Sequence, residues 1–189
     1  MTLDEDVKKA VEVMRQGGVI LYPTDTIWGI GCDATNEEAV RRVFEIKKRA
    51  DSKALICLVD SPDRVQRYVR EVPAVAWDLM ELTDKPLTII FDGAKNLAPN
   101  LLAEDGSVGI RVTREEVSNR LCYRFQKPIV STSANVSGEP SAACFAEISE
   151  EIRGAVDYIM ESRQKDTRKC HSSSIIKLGV SGEIQIIRK

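Results

Sequence analysis

A single histidine in 189 residues removes several chemistries at once. Any triad or metal cluster that needs two imidazoles is excluded by counting. The one neighbour pair that remains, Cys170 and His171, would point to opposite faces of a strand. The five cysteines, Cys32, Cys57, Cys122, Cys144 and Cys170, are odd in number, widely spaced and without a C-x-x-C pair. Neither a disulfide framework nor a zinc site follows, and reduced thiols in a cytoplasmic protein fit best. No apolar run approaches the roughly 18 residues that span a bilayer, and the N-terminus reads as an amphipathic helix rather than a leader, so no membrane partner is expected. Nor does one sign of charge dominate: 27 basic against 29 acidic residues leave a net charge of −2. That balance argues against a surface built throughout for nucleic acid, and a local basic groove would escape it.

Two phosphate-binding signatures are missing as well. No G-x-x-x-x-G-K-[ST] loop occurs. Gly29-Ile30-Gly31-Cys32-Asp33-Ala34, with Asp51 downstream, has the form of a dinucleotide fingerprint, but that motif needs its first glycine at the turn straight after the strand, and residues 23–28 intervene here.

What is present is a chain long enough for one compact domain, expected to run over residues 1–189. Thr2 and Glu5 form a capping box for a first helix carrying Leu3, Val7, Val11 and Met14 at helical spacing, stopped at Gly17-Gly18. Residues 19–22 read as a strand, 23–31 as a loop, and Thr35 with Glu38 as a second capping box before a helix that ends in Lys47-Lys48-Arg49. Strands are predicted at 55–59, 87–91, 107–112, 129–132, 156–160, 174–178 and 184–187, and helices at 62–82, 115–125 and 145–153. Because long connections and helices separate most strands, hairpins should be few, and the fold class is α/β, a twisted mixed sheet flanked by helices.

The residues that could carry chemistry sit at the ends of these elements. Ser131-Thr132-Ser133-Ala134-Asn135-Val136-Ser137-Gly138 follows an apolar run and offers small donors and acceptors suited to phosphate or carboxylate; it also fits an ordinary Ser/Asn-rich turn. Lys47 and Arg49 could clamp a polyphosphate, or complement the dipole of their helix end. Arg111, inside the apolar strand Val108-Gly109-Ile110-Arg111-Val112, needs an anionic partner if buried and could receive a carboxylate. Asp25 could bind a metal, stand in solvent, or order its loop by an Asx turn, the reading taken first. Ser172-Ser173-Ser174 repeats the arrangement of hydroxyls beside an apolar run.

Taken in register, Pro23-Thr24-Asp25-Thr26-x-x-Gly29, Lys47-x-Arg49 and Ser133-x-Asn135 make the chain resemble the YrdC/TsaC-like threonylcarbamoyl-AMP synthases, from Gly18 to Arg188. The resemblance implies a concave basic cavity in which L-threonine, bicarbonate and ATP, with Mg²⁺ accompanying the ATP, form threonylcarbamoyl-AMP and pyrophosphate. The product would pass to downstream tRNA threonylcarbamoyl-transfer proteins, and weak RNA binding would be compatible with such a cavity. It further implies Lys47 and Arg49 as catalytic residues. Lys47, Arg49, Lys53, Ser107, Ser133, Asn135, Ser141 and Arg188 would contact ATP, and Thr26, Arg111, Ser131 and Ser173 would hold threonine. No protein ligand for a metal is implied.

The chain departs from the family pattern in places. Ala50 stands where a proline usually follows K-x-R, the P-G-P-x-T segment is reduced to Lys85-Pro86-Leu87-Thr88, and the S-T-I-V-like segment appears as Ser173-Ser174-Ile175-Ile176. Some members carry a second domain over the cavity; with the sequence stopping at Lys189, a more open site or closure by partners is expected. Two competing readings are a non-catalytic RNA-binding module and a carbamoyl-transfer domain for another acceptor.

Overall fold

The computed structural model describes residues 1–49 and 54–189. Helices α1 (Leu3–Arg15), α2 (Glu37–Lys47), α3 (Pro62–Val65), α4 (Ala74–Leu82), α5 (Glu116–Phe125) and α6 (Glu150–Ala155) flank a sheet. Its strands are β1 (Ile20–Tyr22), β2 (Gly29–Gly31), β3 (Ile56–Val59), β4 (Leu87–Phe91), β5 (Val108–Val112), β6 (Ile129–Ser133), β7 (Tyr158–Ile159), β8 (Ser174–Leu178) and β9 (Ile184–Arg188), in the spatial order β7-β1-β2-β6-β3-β5-β4-β8-β9. The β1–β7, β3–β5 and β4–β8 pairs are parallel and the other neighbours antiparallel, so the sheet is mixed, as expected.

Several boundaries differ from the sequence reading for identifiable reasons. The single helix expected over 62–82 is two, because Pro73 cannot continue a helix interior and instead serves as N-cap of α4. The helix expected over 145–153 is a short 3₁₀ turn, Phe145–Glu147, followed by α6, which Ser149 restarts by accepting from the Ile152 N–H. The cap of α2 is Asn36, whose side chain accepts from the Ala39 N–H at 3.1 Å; Thr35 is held by Asp33 instead. The Thr2–Glu5 capping box forms as read.

Strand β2 lies inside the segment read as a loop. It is hidden from sequence because two of its three residues are glycines, which have little strand propensity. The Tyr22 ring requires the second of them: a Cβ on Gly31 would meet Tyr22 Cε1 at 2.5 Å and the Val130 carbonyl oxygen at 2.9 Å, while the Tyr22 hydroxyl donates to that same carbonyl at 2.9 Å. We expect Gly31→Ala to lower unfolding stability by about 2 kcal/mol, an overpacking cost measurable by urea denaturation.

The two faces of the sheet are covered unequally. One packs against α2, α3, α4 and α6 through Val40, Val43, Phe44, Val65, Ala76 and Ile152, over Leu21, Ile30, Cys57, Ile89, Ile110 and Val130. The other is covered by α1 and α5 only over Ile20, Tyr22, Leu58 and Ile129. Side chains alternate along a strand, so Ser131 and Ser133 continue the face of Ile129 beyond the helices. Cross-strand pairing extends that uncovered face through Gly29 opposite Ser133, Ile56 opposite Ser131, and Arg111, Thr88 and Ile175 in one row.

At the sheet edge the row ends with Arg188, and a bulge puts it there. Ile176 pairs with Ile186 but Ile175 pairs with Arg188, so Ile187 is an extra residue on β9. In a regular ladder Arg188 would share the face of Ile186; the bulge turns it to the face of Ile175.

Candidate functional site

The uncovered half-face forms a cavity of about 310 Å³. Among the sequence-derived site residues, Thr26, Arg49, Arg111, Ser131, Ser133, Ser141, Ser173 and Arg188 line it. Its described lining residues include three arginines and no acidic side chain, with Trp28, Leu55, Ile56 and Ile175 as apolar surface. Trp28 is fixed by the Phe145 ring at 4.9 Å between centroids.

Arg111 is the centre of one end of the cavity. Only 2% of the residue is exposed. Its Nε donates to both Asp25 carboxylate oxygens, at 3.0 and 3.2 Å. Its terminal nitrogens meet only hydroxyls: Nη1 lies 3.3 Å from Thr88 Oγ1 and 3.4 Å from Ser173 Oγ, and Nη2 lies 3.2 Å from Thr26 Oγ1. Thr88 and Ser173 are hydrogen-bonded to each other at 2.8 Å.

The anionic partner that a buried arginine required is therefore Asp25, and the Asx-turn reading of Asp25 is corrected. Thr24 orders that loop: its Oγ1 accepts from the Thr26 N–H at 3.0 Å and donates to the Ile27 carbonyl at 2.8 Å. The turn thereby presents Asp25 and Thr26 together to one guanidinium. Burial raises the Asp25 carboxyl above its ordinary value, and the Arg111 charge opposes the rise. Thr88, fully buried, was absent from the sequence-derived set, because nothing in the pattern of β4 distinguishes it from a core threonine.

The other end of the cavity is built from the C-terminus of α2 and the strand end of β6. Lys48 caps α2 in the left-handed conformation at φ 51° and Arg49 N–H bonds back to the Phe44 carbonyl at 2.9 Å, so the chain turns sharply after Lys47. Arg49 then reaches the cavity, its Nη2 donating to the Ala54 carbonyl at 2.7 Å while its buried Nε has no partner among the described residues. Burial lowers the Arg49 and Arg188 guanidinium values, the latter further through Arg111. Arg188 is held by its Nε bond to the Ser173 carbonyl at 2.9 Å.

Lys47 sits differently from the phosphate clamp that the sequence suggested. It is 2% exposed and does not line the cavity. Its ammonium donates to the carbonyls of Ser133 at 2.6 Å and Asn135 at 2.8 Å and lies 3.4 Å from Ser133 Oγ, which uses all three donors. Desolvation, with Arg49 nearby, lowers its pKa to about 8. Asn135 is likewise behind the wall, its Nδ2 donating to the carbonyls of Val136 at 3.0 Å and Glu139 at 2.9 Å. Lys47 is thus the pin between α2 and the residues 133–135.

Two further sequence-derived ATP contacts are not brought to the cavity. Ser107 precedes β5 and is nearly buried, with its Oγ donating to Asp105 Oδ1 at 2.6 Å and its N–H to the same oxygen at 3.0 Å. Lys53 lies outside the described residues, as do Ala50 and Asp51. Cys170 and His171 do not line this cavity either. Among the described residues no group of three His, Cys, Asp or Glu side chains could hold a metal ion, and no helix is long and apolar enough to cross a membrane.

Comparison with known proteins identifies the family. The Sua5/YciO/YrdC family model, which carries the description "Telomere recombination", matches residues 12–189. A protein of Vibrio cholerae serotype O1 named threonylcarbamoyl-AMP synthase is 31% identical over 192 residues, covering 100% of both chains. One of the same name from Xanthomonas euvesicatoria pv. vesicatoria is 34% identical over 164 residues, 85% of this chain and 88% of the other. Among solved structures, P. abyssi Sua5 complexed with L-threonine superposes with a TM-score of 0.82 at 26% identity, over 91% of this chain but 50% of that one. The present chain therefore spans about half the length of that Sua5. E. coli YciO superposes with a TM-score of 0.84 at 25% identity, over 100% of this chain and 90% of its own. With residues 12–189 matched by the family model and a relative 31% identical over the whole chain, the chain belongs to the Sua5/YciO/YrdC family.

Proposed function

We propose that the protein is an L-threonylcarbamoyladenylate synthase, a nucleotidyltransferase that joins L-threonine, bicarbonate and ATP into threonylcarbamoyl-AMP and pyrophosphate. The observation that carries the reading is the shared cavity: a buried guanidinium ringed by three hydroxyls at one end, and Arg49 and Ser133 at the other. Full-length relatives of that name and a Sua5 structure holding L-threonine support the choice of substrates. This activity places the protein in tRNA modification in the cytoplasm, with the product passed to threonylcarbamoyl-transfer proteins.

In this reading the threonine carboxylate docks on Nη1 and Nη2 of Arg111, beside Thr26, Ser131 and Ser173, replacing long hydroxyl contacts by charge-assisted ones. The neutral threonine amine bonds to the carbon of CO₂ formed by dehydration of bicarbonate, and a proton passes from its nitrogen to the hydroxide released, giving a carbamate and water. A carbamate oxygen then attacks the α-phosphorus of ATP, and the bond from that phosphorus to the bridging oxygen breaks, the electron pair leaving on pyrophosphate. No covalent protein intermediate is needed, so fixed cations and donors suffice: Arg49, Arg188, Ser133 and Ser141 would hold the phosphates while the charge shifts. Lys47 and Asn135 act by holding Ser133 in place. The cavity's described residues offer hydroxyls but no carboxylate to a metal, so Mg²⁺ would enter as the Mg–ATP substrate, held chiefly by phosphate oxygens.

The test is pyrophosphate release in the presence of Mg–ATP and bicarbonate, with and without L-threonine. Threonine-dependent release is expected; its absence from folded protein defeats the reading. In the same assay Arg49→Ala should lower turnover at least about tenfold, equivalent to ~1.4 kcal/mol of transition-state stabilisation, with the melting temperature retained. An unchanged rate removes Arg49 from the catalytic set.

A further inference from the structure

Arg111 is held by an acid that does not share its cavity. Asp25 lines a second, larger cavity of about 720 Å³, together with Thr24, Arg114, Glu115 and Arg163, whereas Arg111 lines the smaller one. The ion pair bridges the wall between them. Arg163, which reaches this turn from the segment after β7, is already engaged by the Thr24 carbonyl at 2.9 Å, by Glu115 at 3.1 Å and by Asp166 at 3.3 Å. Asp25 commits both oxygens to the Nε of Arg111, at 3.0 and 3.2 Å.

The geometry divides the guanidinium into two functions. A free arginine fork can receive a carboxylate either along its Nε side or across its two terminal nitrogens. Here the Nε side is taken by a charged partner, and the terminal pair is left with neutral hydroxyls at 3.2 to 3.4 Å. Those contacts are longer than the roughly 2.7–2.9 Å of a charge-assisted bond, so the terminal pair is under-coordinated towards the smaller cavity. Meanwhile the Asp25 charge offsets that of the buried arginine without occupying the space a ligand would enter.

We propose that Asp25 is a positioning residue for a carboxylate-bearing substrate: it fixes Arg111 by the Nε side so that Nη1 and Nη2 face the smaller cavity as the receptor. This rests on the synthase reading for the identity of the substrate, L-threonine, and on the geometry alone for the class of ligand. Asp25 touches no substrate itself, and its effect is passed on entirely through the guanidinium.

Asp25→Asn keeps the shape and one acceptor on Nε but removes the charge that fixes it. The expected result is a KM for L-threonine raised about tenfold with the KM for ATP unchanged, while the melting temperature falls because Arg111, 2% exposed, loses its anionic partner. Competitive inhibition by L-threoninol, which has no carboxylate, should also be unchanged. A threonine KM that is unchanged or lowered overturns the proposal. Equal weakening of threonine, threoninol and ATP also overturns it, since that pattern belongs to a residue that merely supports the fold. Should Asp25→Asn fail to fold, Asp25→Ser, which leaves room for water at Nε, is measured in the same way. If the unmutated protein shows no threonine-dependent turnover, the synthase reading fails separately. Calorimetric titration with L-threonine and with acetate, without ATP, then decides: binding by the unmutated protein that the variant weakens supports the positioning role. Equal binding, or none by either, overturns it.

Discussion

Arg111→Lys is expected to lower kcat/KM for threonine about 100-fold or more while the protein stays folded. Lysine retains the positive charge and can still pair with Asp25, so the buried carboxylate is not stranded. What it loses is the planar fork, and with it the two terminal donors that face the cavity between Thr26, Thr88 and Ser173. A 100-fold fall corresponds to about 2.7 kcal/mol, within the range of a lost bidentate, charge-assisted contact. Arg111→Leu is the less informative change, because leaving Asp25 buried and unpaired would cost stability by about 3–5 kcal/mol and confuse folding with function. Steady-state pyrophosphate release at varied threonine, beside a melting curve, measures the effect. A threonine KM equal to that of the unmutated protein would remove Arg111 from the substrate site.

Lys47→Met is expected to lower kcat/KM for ATP by a similar factor, through an indirect route. The methionine fills the buried volume but leaves the Ser133 and Asn135 carbonyls without their donor, which should cost about 2–4 kcal/mol of stability and free Ser133 from its place at the cavity wall. A pH signature separates this role from direct contact with substrate. The Lys47 pKa is about 8 in the folded chain against an ordinary 10.5, so between these values the unfolded chain binds more protons than the folded one. Stability from this group therefore rises with pH across that window, from the burden of a buried charge below about 8 to its relief above. Cys32 and Cys57, whose thiols burial pushes up, contribute the opposite slope and are common to both proteins. Subtracting the Lys47→Met curve from the unmutated one should thus leave a rise in unfolding free energy on the order of 2 kcal/mol from pH 8 to 10. A flat difference would mean that Lys47 is not buried as a cation.

How far the sequence could be read depended on whether a residue's role is set by its own strand or by a distant one. Ser131 and Ser133 were legible as small donors following an apolar run, and Arg111 because a charged residue in an apolar strand needs an anion. The identity of that anion was not legible: Asp25 is 86 positions away, and only the β1–β2 turn brings it to β5. Lys47 looked like any cation at a helix end, since its burial is created by the carbonyls of residues 133 and 135 rather than by its neighbours in sequence. Arg188 was reached through family resemblance alone. The alternation of Ile184, Gln185 and Ile186 points it to the wrong face, and the extra Ile187 corrects this only once β9 is paired with β8. Ser107, named from the family motif alone, donates its hydroxyl to Asp105 and does not line the cavity.

The central claim is that one cavity brings a carbamate to the α-phosphorus of ATP. Its most direct measurement is mass spectrometry of the products formed from isotopically labelled bicarbonate, L-threonine and Mg–ATP. The expected result is labelled threonylcarbamoyl-AMP in equal amount to pyrophosphate, appearing only when all three substrates are present. Pyrophosphate without threonine, or no labelled adenylate from protein that melts as a folded chain, would contradict it.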